Sequence, residues 1–254
     1  MRMISDPTPT PRAALQAGLR LALALFLTLA CLGPVSAANY ADPAYQAAVA
    51  DARYPTASHI SHDLTPIVAW NPNLVWEGAA GASRVKVAAL TRNYYDNSVG
   101  RDYALSFGEL WVTAAPELRQ FFQNDPAGPS MGRLEQLLGL PPDGGYTRIV
   151  EFWVDPANLF RPSADPEITD TVAELSLPAG YRSDVAKSYR DWFSATWKSR
   201  FETSTPYPWT QLGYTYDWGS GDHMGLSEFV IQRSAVVGVV GVWDPLAYFS
   251  AGPR

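Results

Sequence analysis

Glu228 lies in Gly225-Leu-Ser-Glu-Phe-Val-Ile231, a lone acid among apolar neighbours in a run that reads as a strand. Side chains alternate along a strand, so Leu226, Glu228 and Val230 share one face, and Ser227, Phe229 and Ile231 the other. A glutamate so placed stands either solvated at the rim of a sheet or inside a cleft. In a cleft the loss of water penalises the carboxylate and raises its pKa toward the range useful for proton transfer. Just upstream, Tyr214, Tyr216 and Trp218 alternate with Thr215 and Asp217, which as a strand puts three rings on one face. Such a row either packs as core beneath a helix or forms a flat platform on which a sugar or a nucleotide base stacks. Gly219 to Gly225 then reads as a strand connection or a lid. The expectation is a surface for a small molecule, a glycan or a nucleotide, built from Tyr214, Tyr216 and Trp218 of the strand 214–218 and from the loop 219–225.

Other constellations are thinner. Glu109, Glu151, Asp217 and Glu228 supply acids for a glycosidase pair, but that chemistry needs a fixed separation that spacing in the chain does not give. The chain has three histidines. His59 and His62 are three apart next to Asp63, and on a helix they could share a metal with His223 or Asp222. Pro55 and Pro66 bracket a loop instead, so solvated histidines and no metal are expected. The glycine segment has no phosphate-loop lysine, and no Gly-x-Ser-x-Gly elbow occurs.

The elements that must position these residues follow from local pattern. Asp42 and Pro43 open a helix, Asp42 as cap and Pro43 in the first turn, where a missing N–H costs nothing. Residues 83–90 alternate as a strand with Val85 and Val87 facing in. Residues 108–118 and 150–160 both read Glu, apolar, Trp, Val and then a proline-started turn, a recurring strand-to-helix joint with Glu and Trp on one face. Ser130 caps a short helix over Leu134, Leu137 and Leu138, stopped by Gly139 and Pro141. Asp165-Pro-Glu repeats the helix-start signal. The strongest helix spans 183–201, with Val185, Tyr189, Trp192, Phe193 and Thr196 on one face. Strands are expected at 211–218, 226–231 and 235–243. Together these predict a single α+β domain with a largely antiparallel sheet and several short helices over residues 38–254.

Residues 1–37 read differently. Arg12 and Arg20 precede thirteen uncharged residues, Leu21 to Gly33, then Pro34 and Val-Ser-Ala. This is the pattern of a secretory signal peptide cleaved after Ala37, its apolar core too short to span a bilayer. The expected location is secreted or periplasmic. The chain's only cysteine, Cys31, lies in this leader, so the exported domain has no disulfides, thiol nucleophile or cysteine-built zinc site. The whole chain carries a net charge of −6; without the leader's three arginines and one aspartate it is −8. An acidic chain without basic runs is matched neither to nucleic acid nor, once the leader is gone, to anionic membranes.

Two resemblances bear on function. The words RLEQLLGLPP, LFRPSADPEITDT, YPWTQLGYTYDWG and GLSEFVI resemble a group of uncharacterised bacterial secreted proteins, which implies a coherent exported domain and no particular chemistry. The order Arg92, Thr203-Ser-Thr205, Glu228 resembles the Arg, Ser-Thr-Ser, Glu pattern of ADP-ribosyltransferase toxins and related NAD-cleaving enzymes. That likeness implies NAD as substrate, Arg92 on its pyrophosphate and Glu228 stabilising an oxocarbenium-like transition state. The family's second acid is here Leu226, which favours simple cleavage over transfer. Three readings stand: an aromatic ligand-binding surface, an NAD-cleaving or ADP-ribosyl-transferring enzyme using Glu228 and Arg92, and a non-catalytic structural or interaction protein of the envelope.

Overall fold

The computed structural model describes residues 38–176 and 183–251, with side chains of the second stretch from residue 187 onward. The leader and its cleavage point lie outside the described residues. Nine strands occur among them: β1 (Val85–Thr91), β2 (Asp102–Ala104), β3 (Leu110–Ala114), β4 (Arg148–Val154), β5 (Leu159–Phe160), β6 (Tyr214–Tyr216), β7 (Met224–Ser227), β8 (Phe229–Ile231) and β9 (Val236–Trp243). Seven form one sheet in the order β2-β9-β4-β1-β3-β8-β5, every neighbouring pair antiparallel, while β6 and β7 make a separate two-stranded ribbon. Five α-helices accompany them: α1 (Pro43–Ala52), α2 (Ala115–Asn124), α3 (Met131–Leu137), α4 (Ser183–Phe201) and α5 (Pro245–Ser250). The result is a single α+β domain, as the strand and helix patterns require.

Alternation explains the layers. Val85, Val87, Val112, Ala114, Val150, Phe152, Val154, Phe229 and Ile231 fill the main core on one face of the sheet. The other face carries Ala88, Ile149 and Leu90, covered by Leu118 and Phe122 of α2, Leu134 and Leu137 of α3 and Tyr248 of α5. Glu151 and Trp153 share this second face on β4, as the alternation predicts. Glu151 is only 2% exposed. Lys86 Nζ lies 3.5 Å from its Oε2 and Arg119 Nη2 3.4 Å from its Oε1, to which the Tyr248 hydroxyl donates at 2.8 Å. Both central charges are therefore compensated inside the sheet's cover.

The capping residues act as expected. Asp42 accepts from Tyr45 N at 3.0 Å, Ser130 from Arg133 N at 3.1 Å and Asp155 from Ala157 N at 3.0 Å. On α4, Tyr189 donates to the carbonyls of Arg161 and Ser163, and Phe193 packs on Trp209 with ring centres 4.8 Å apart. Asp165-Pro-Glu is a correction, since no helix begins there. Ile67 N donates to Ile168 O at 2.7 Å and Arg161 N to Pro166 O at 3.0 Å, so the backbone groups a helix would use are tied to other segments.

Candidate functional site

Glu228 sits at a joint, not within a strand. The chain runs along β7 in the small ribbon, passes through Glu228 and enters the seven-stranded sheet as β8. Its amide donates to Gly213 O at 2.9 Å, which clamps the crossing against the start of β6. Gly213 has φ +74°, and a Cβ there would lie 2.5 Å from Cδ of Arg161, a side chain with no exposure at all. Only glycine fits both demands. Gly213→Ala is therefore expected to cost about 2–4 kcal/mol in urea unfolding, the range for a strained φ plus a core clash.

The joint opens onto a cavity of about 300 Å³. Its floor is the second face of the sheet: Ala88 and Leu90 of β1, and Trp111 and Thr113 of β3. The register pairs Val112 with Phe229, and Thr113 and Glu228 are the residues next to that last pair. Leu118 of α2 and Leu138 to Leu140 beyond α3 close one side. Tyr146, Tyr207, Trp209 and Tyr216 make the aromatic walls, and Arg200 enters from the end of α4. Several walls are pinned by their polar tips. Trp209 Nε1 donates to Pro162 O at 3.0 Å, Tyr216 Oη to Asp51 Oδ2 at 2.9 Å, and the Tyr207 and Tyr40 hydroxyls lie 3.2 Å apart. Trp111 meets Trp209 edge to face at 6.0 Å. Rigid rings around a modest volume suit a flat organic molecule.

Three polar groups within this lining have no hydrogen-bond partner among the described residues. The Glu228 carboxyl accepts no hydrogen bond, and burial pushes its pKa from 4.5 up to about 8, with Arg200 pulling the other way. The residue is half-buried and lines the cavity. Arg200 lies over the Trp111 ring at 4.8 Å and the Tyr207 ring at 5.3 Å, and no carboxylate comes within salt-bridge distance. Thr113 is 4% exposed and its hydroxyl is unpaired. Buried polar groups are almost always bonded, so an orphan hydroxyl lining a cavity marks a place where something else is received. Glu109 also lines the space. Its carboxylate accepts from Trp192 Nε1 at 2.7 Å, and it stands four residues, about 13 Å of strand, from Thr113.

The residues picked out by sequence pattern divide. Glu228 and Tyr216 line the cavity. Tyr214 and Trp218 do not, and the platform expectation is corrected. Only 214–216 is strand, with an irregularity between Tyr214 and Tyr216, so the three rings do not share one open face. Tyr214 is buried with Leu64 and Leu212 and donates to His59 O at 2.8 Å; burial raises its pKa to about 12. Trp218 stands edge-on to Tyr45 and donates to Leu140 O at 3.1 Å. Tyr216 is buried too, stacked on His223 with centres 4.9 Å apart.

Arg92 is exposed, donates to Gly144 O at 3.3 Å and is not part of the cavity wall. Residues 203–205 lie in bends after α4 rather than in a strand. The Arg, Thr-Ser-Thr, Glu order is thus not gathered into one cleft. Of the four acids weighed as a glycosidase pair, Glu151 is spent in its network and Asp217 on Arg133, which leaves Glu109 and Glu228 on the cavity.

The one group of three close ligands among the described residues is Asp165, Asp170 and Glu174. Desolvation raises Asp165 to about 6, its hydrogen bond with Glu174 adding to this, and Arg161 Nη1 lies 3.6 Å from Asp170. Sequence pattern does not single out Arg200, Thr113, Tyr207 or Trp209 as site residues. The only available signal was that Glu109 and Trp111 share a face. Comparison with protein-family models, with curated proteins and with solved structures finds no match.

Proposed function

We propose that this is an exported protein that binds a small planar organic molecule in the cavity at Glu228. One observation carries the reading: Glu228, Arg200 and Thr113, none with a hydrogen-bond partner among the described residues, line one ring-walled space. Maintaining three such groups costs stability, and a ligand that bonds them recovers that cost. Rings set the shape of the occupant and the polar trio sets its orientation, the usual division in small-molecule sites. Export rests on the leader pattern of residues 1–37. The NAD-cleaving alternative keeps one support, Glu228 in a cavity. It lacks Arg92 there, and a carboxyl held neutral is a poor partner for a developing cation.

A thermal-shift screen with flat one- and two-ring compounds tests the reading. At a ligand concentration one hundred times Kd, the folded state gains about 2.7 kcal/mol and melts several degrees higher. Thr113→Val separates site from scaffold. With no partner to lose, the substitution is expected to leave apo stability unchanged or up to about 1 kcal/mol higher, while cutting the ligand-induced shift. A library that moves neither protein, or a shift untouched by Thr113→Val, contradicts the assignment.

A further inference from the structure

The chemistry of the three unpartnered groups narrows the occupant. A guanidinium has five N–H donors and no acceptor. A hydroxyl has one donor, and an uncharged carboxylic acid has one O–H to give. What meets all three must be rich in acceptors, and Arg200, the one cation of the lining and without a carboxylate at salt-bridge distance among the described residues, calls for a negative charge. Glu109, the other acid on the wall, stands at the far end of β3 from Thr113 with its carboxylate taken by Trp192. It therefore stands apart from the end of β3 at which Thr113 and Glu228 line the cavity. One arginine matches one charge, and the remainder of the wall is aromatic and aliphatic. Resting on the small-ligand reading above, we propose that the ligand is an aromatic monocarboxylate, its carboxylate held by Arg200, Glu228 and Thr113 and its ring system lying against the wall that Trp111, Trp209 and Tyr216 line.

The arrangement explains why an acid, not an amide, can occupy position 228. A protonated carboxyl donates a short, strong hydrogen bond to a carboxylate oxygen, stronger than a neutral pair makes. Burial keeps Glu228 protonated through neutral pH, so it does not repel the incoming anion. The Arg200 guanidinium lies over the Trp111 and Tyr207 rings, and its planar fork of donors matches a planar carboxylate.

The test is calorimetric titration at pH 6.5 with three matched probes: naphthalene-2-carboxylate, its carboxamide and its phosphonate. The wild type is expected to bind the carboxylate at least tenfold more tightly than either of the others. Arg200→Gln is expected to erase that preference while changing carboxamide affinity by less than threefold. Should Arg200→Gln fail to fold, Thr113→Val carries the test, with a loss of several-fold for the carboxylate alone. Equal or tighter binding of the carboxamide overturns the carboxylate assignment and leaves the small-ligand reading intact. Tighter binding of the phosphonate assigns the trio to a phosphoryl group and overturns it likewise. Absence of heat from all three overturns both.

Discussion

Replacing Glu228 with glutamine is expected to make the protein more stable than the wild type at pH 9, by about 3 kcal/mol, and to leave it nearly unchanged at pH 4.5. The folded-state pKa lies above the unfolded value, at about 8 against 4.5. Between these values the native protein holds a proton that the unfolded chain has released. Native stability therefore falls as pH rises through this window and levels off above it. At 1.36 kcal/mol per unit, the full shift amounts to at most about 5 kcal/mol, and water in the cavity reduces it. Glutamine keeps the shape and the donor without the charge, so its curve lacks this fall. Asp165, Glu117 and Glu135 also have raised values through desolvation, but both proteins share them and their contribution cancels in the difference. Urea unfolding of the pair from pH 4.5 to 9 reads the effect; parallel curves would mean that Glu228 is solvated.

The second large effect is structural. Asp217 is 1% exposed and takes Arg133 in a two-pronged bridge, Nη1 to Oδ1 at 2.8 Å and Nη2 to Oδ2 at 2.6 Å. The same carboxylate accepts from Gly219 N at 2.9 Å, so it ties α3 to the loop between β6 and β7. Asp217→Ala strands a largely buried guanidinium that keeps only Asp125, at 2.8 Å. Breaking one side of a buried pair costs about 3–5 kcal/mol. We expect about 3 here, since Asp125 remains, measured as a lowered urea midpoint. Asp217→Asn, which retains one acceptor, should cost less. A loss below 1 kcal/mol for the alanine would show that the bridge is surface-like in strength.

The scaffold was largely legible in the sequence and the site only partly. Val85 and Val87, the Glu-x-Trp-Val joints and the caps at Asp42 and Ser130 are local signals, and local physics decides them. Glu228 was readable as an acid on an apolar face, but the choice between rim and cavity depends on what covers that face. The cover comes from Leu118, Leu138 and Trp209, all distant in the chain. Tyr214, Tyr216 and Trp218 misled because alternation fixes which way a side chain points and not whether the face it points to is dry. Here α1, α4 and the loop at Leu64 bury it. Arg200 was invisible for a related reason. At the end of a helix a lone arginine reads as a solvated charge favourable to the helix dipole. Its meeting with Trp111 exists only once the end of α4 is brought to β3.

The account stands on an uncharged Glu228 facing a space that admits a ligand. Its most direct test is the carboxyl carbon resonance of Glu228 in glutamate-labelled protein, assigned by its disappearance in Glu228→Gln and followed from pH 3 to pH 10. A midpoint near 8 is the predicted result. A midpoint near 4.5, the value of a glutamate in water, would contradict it.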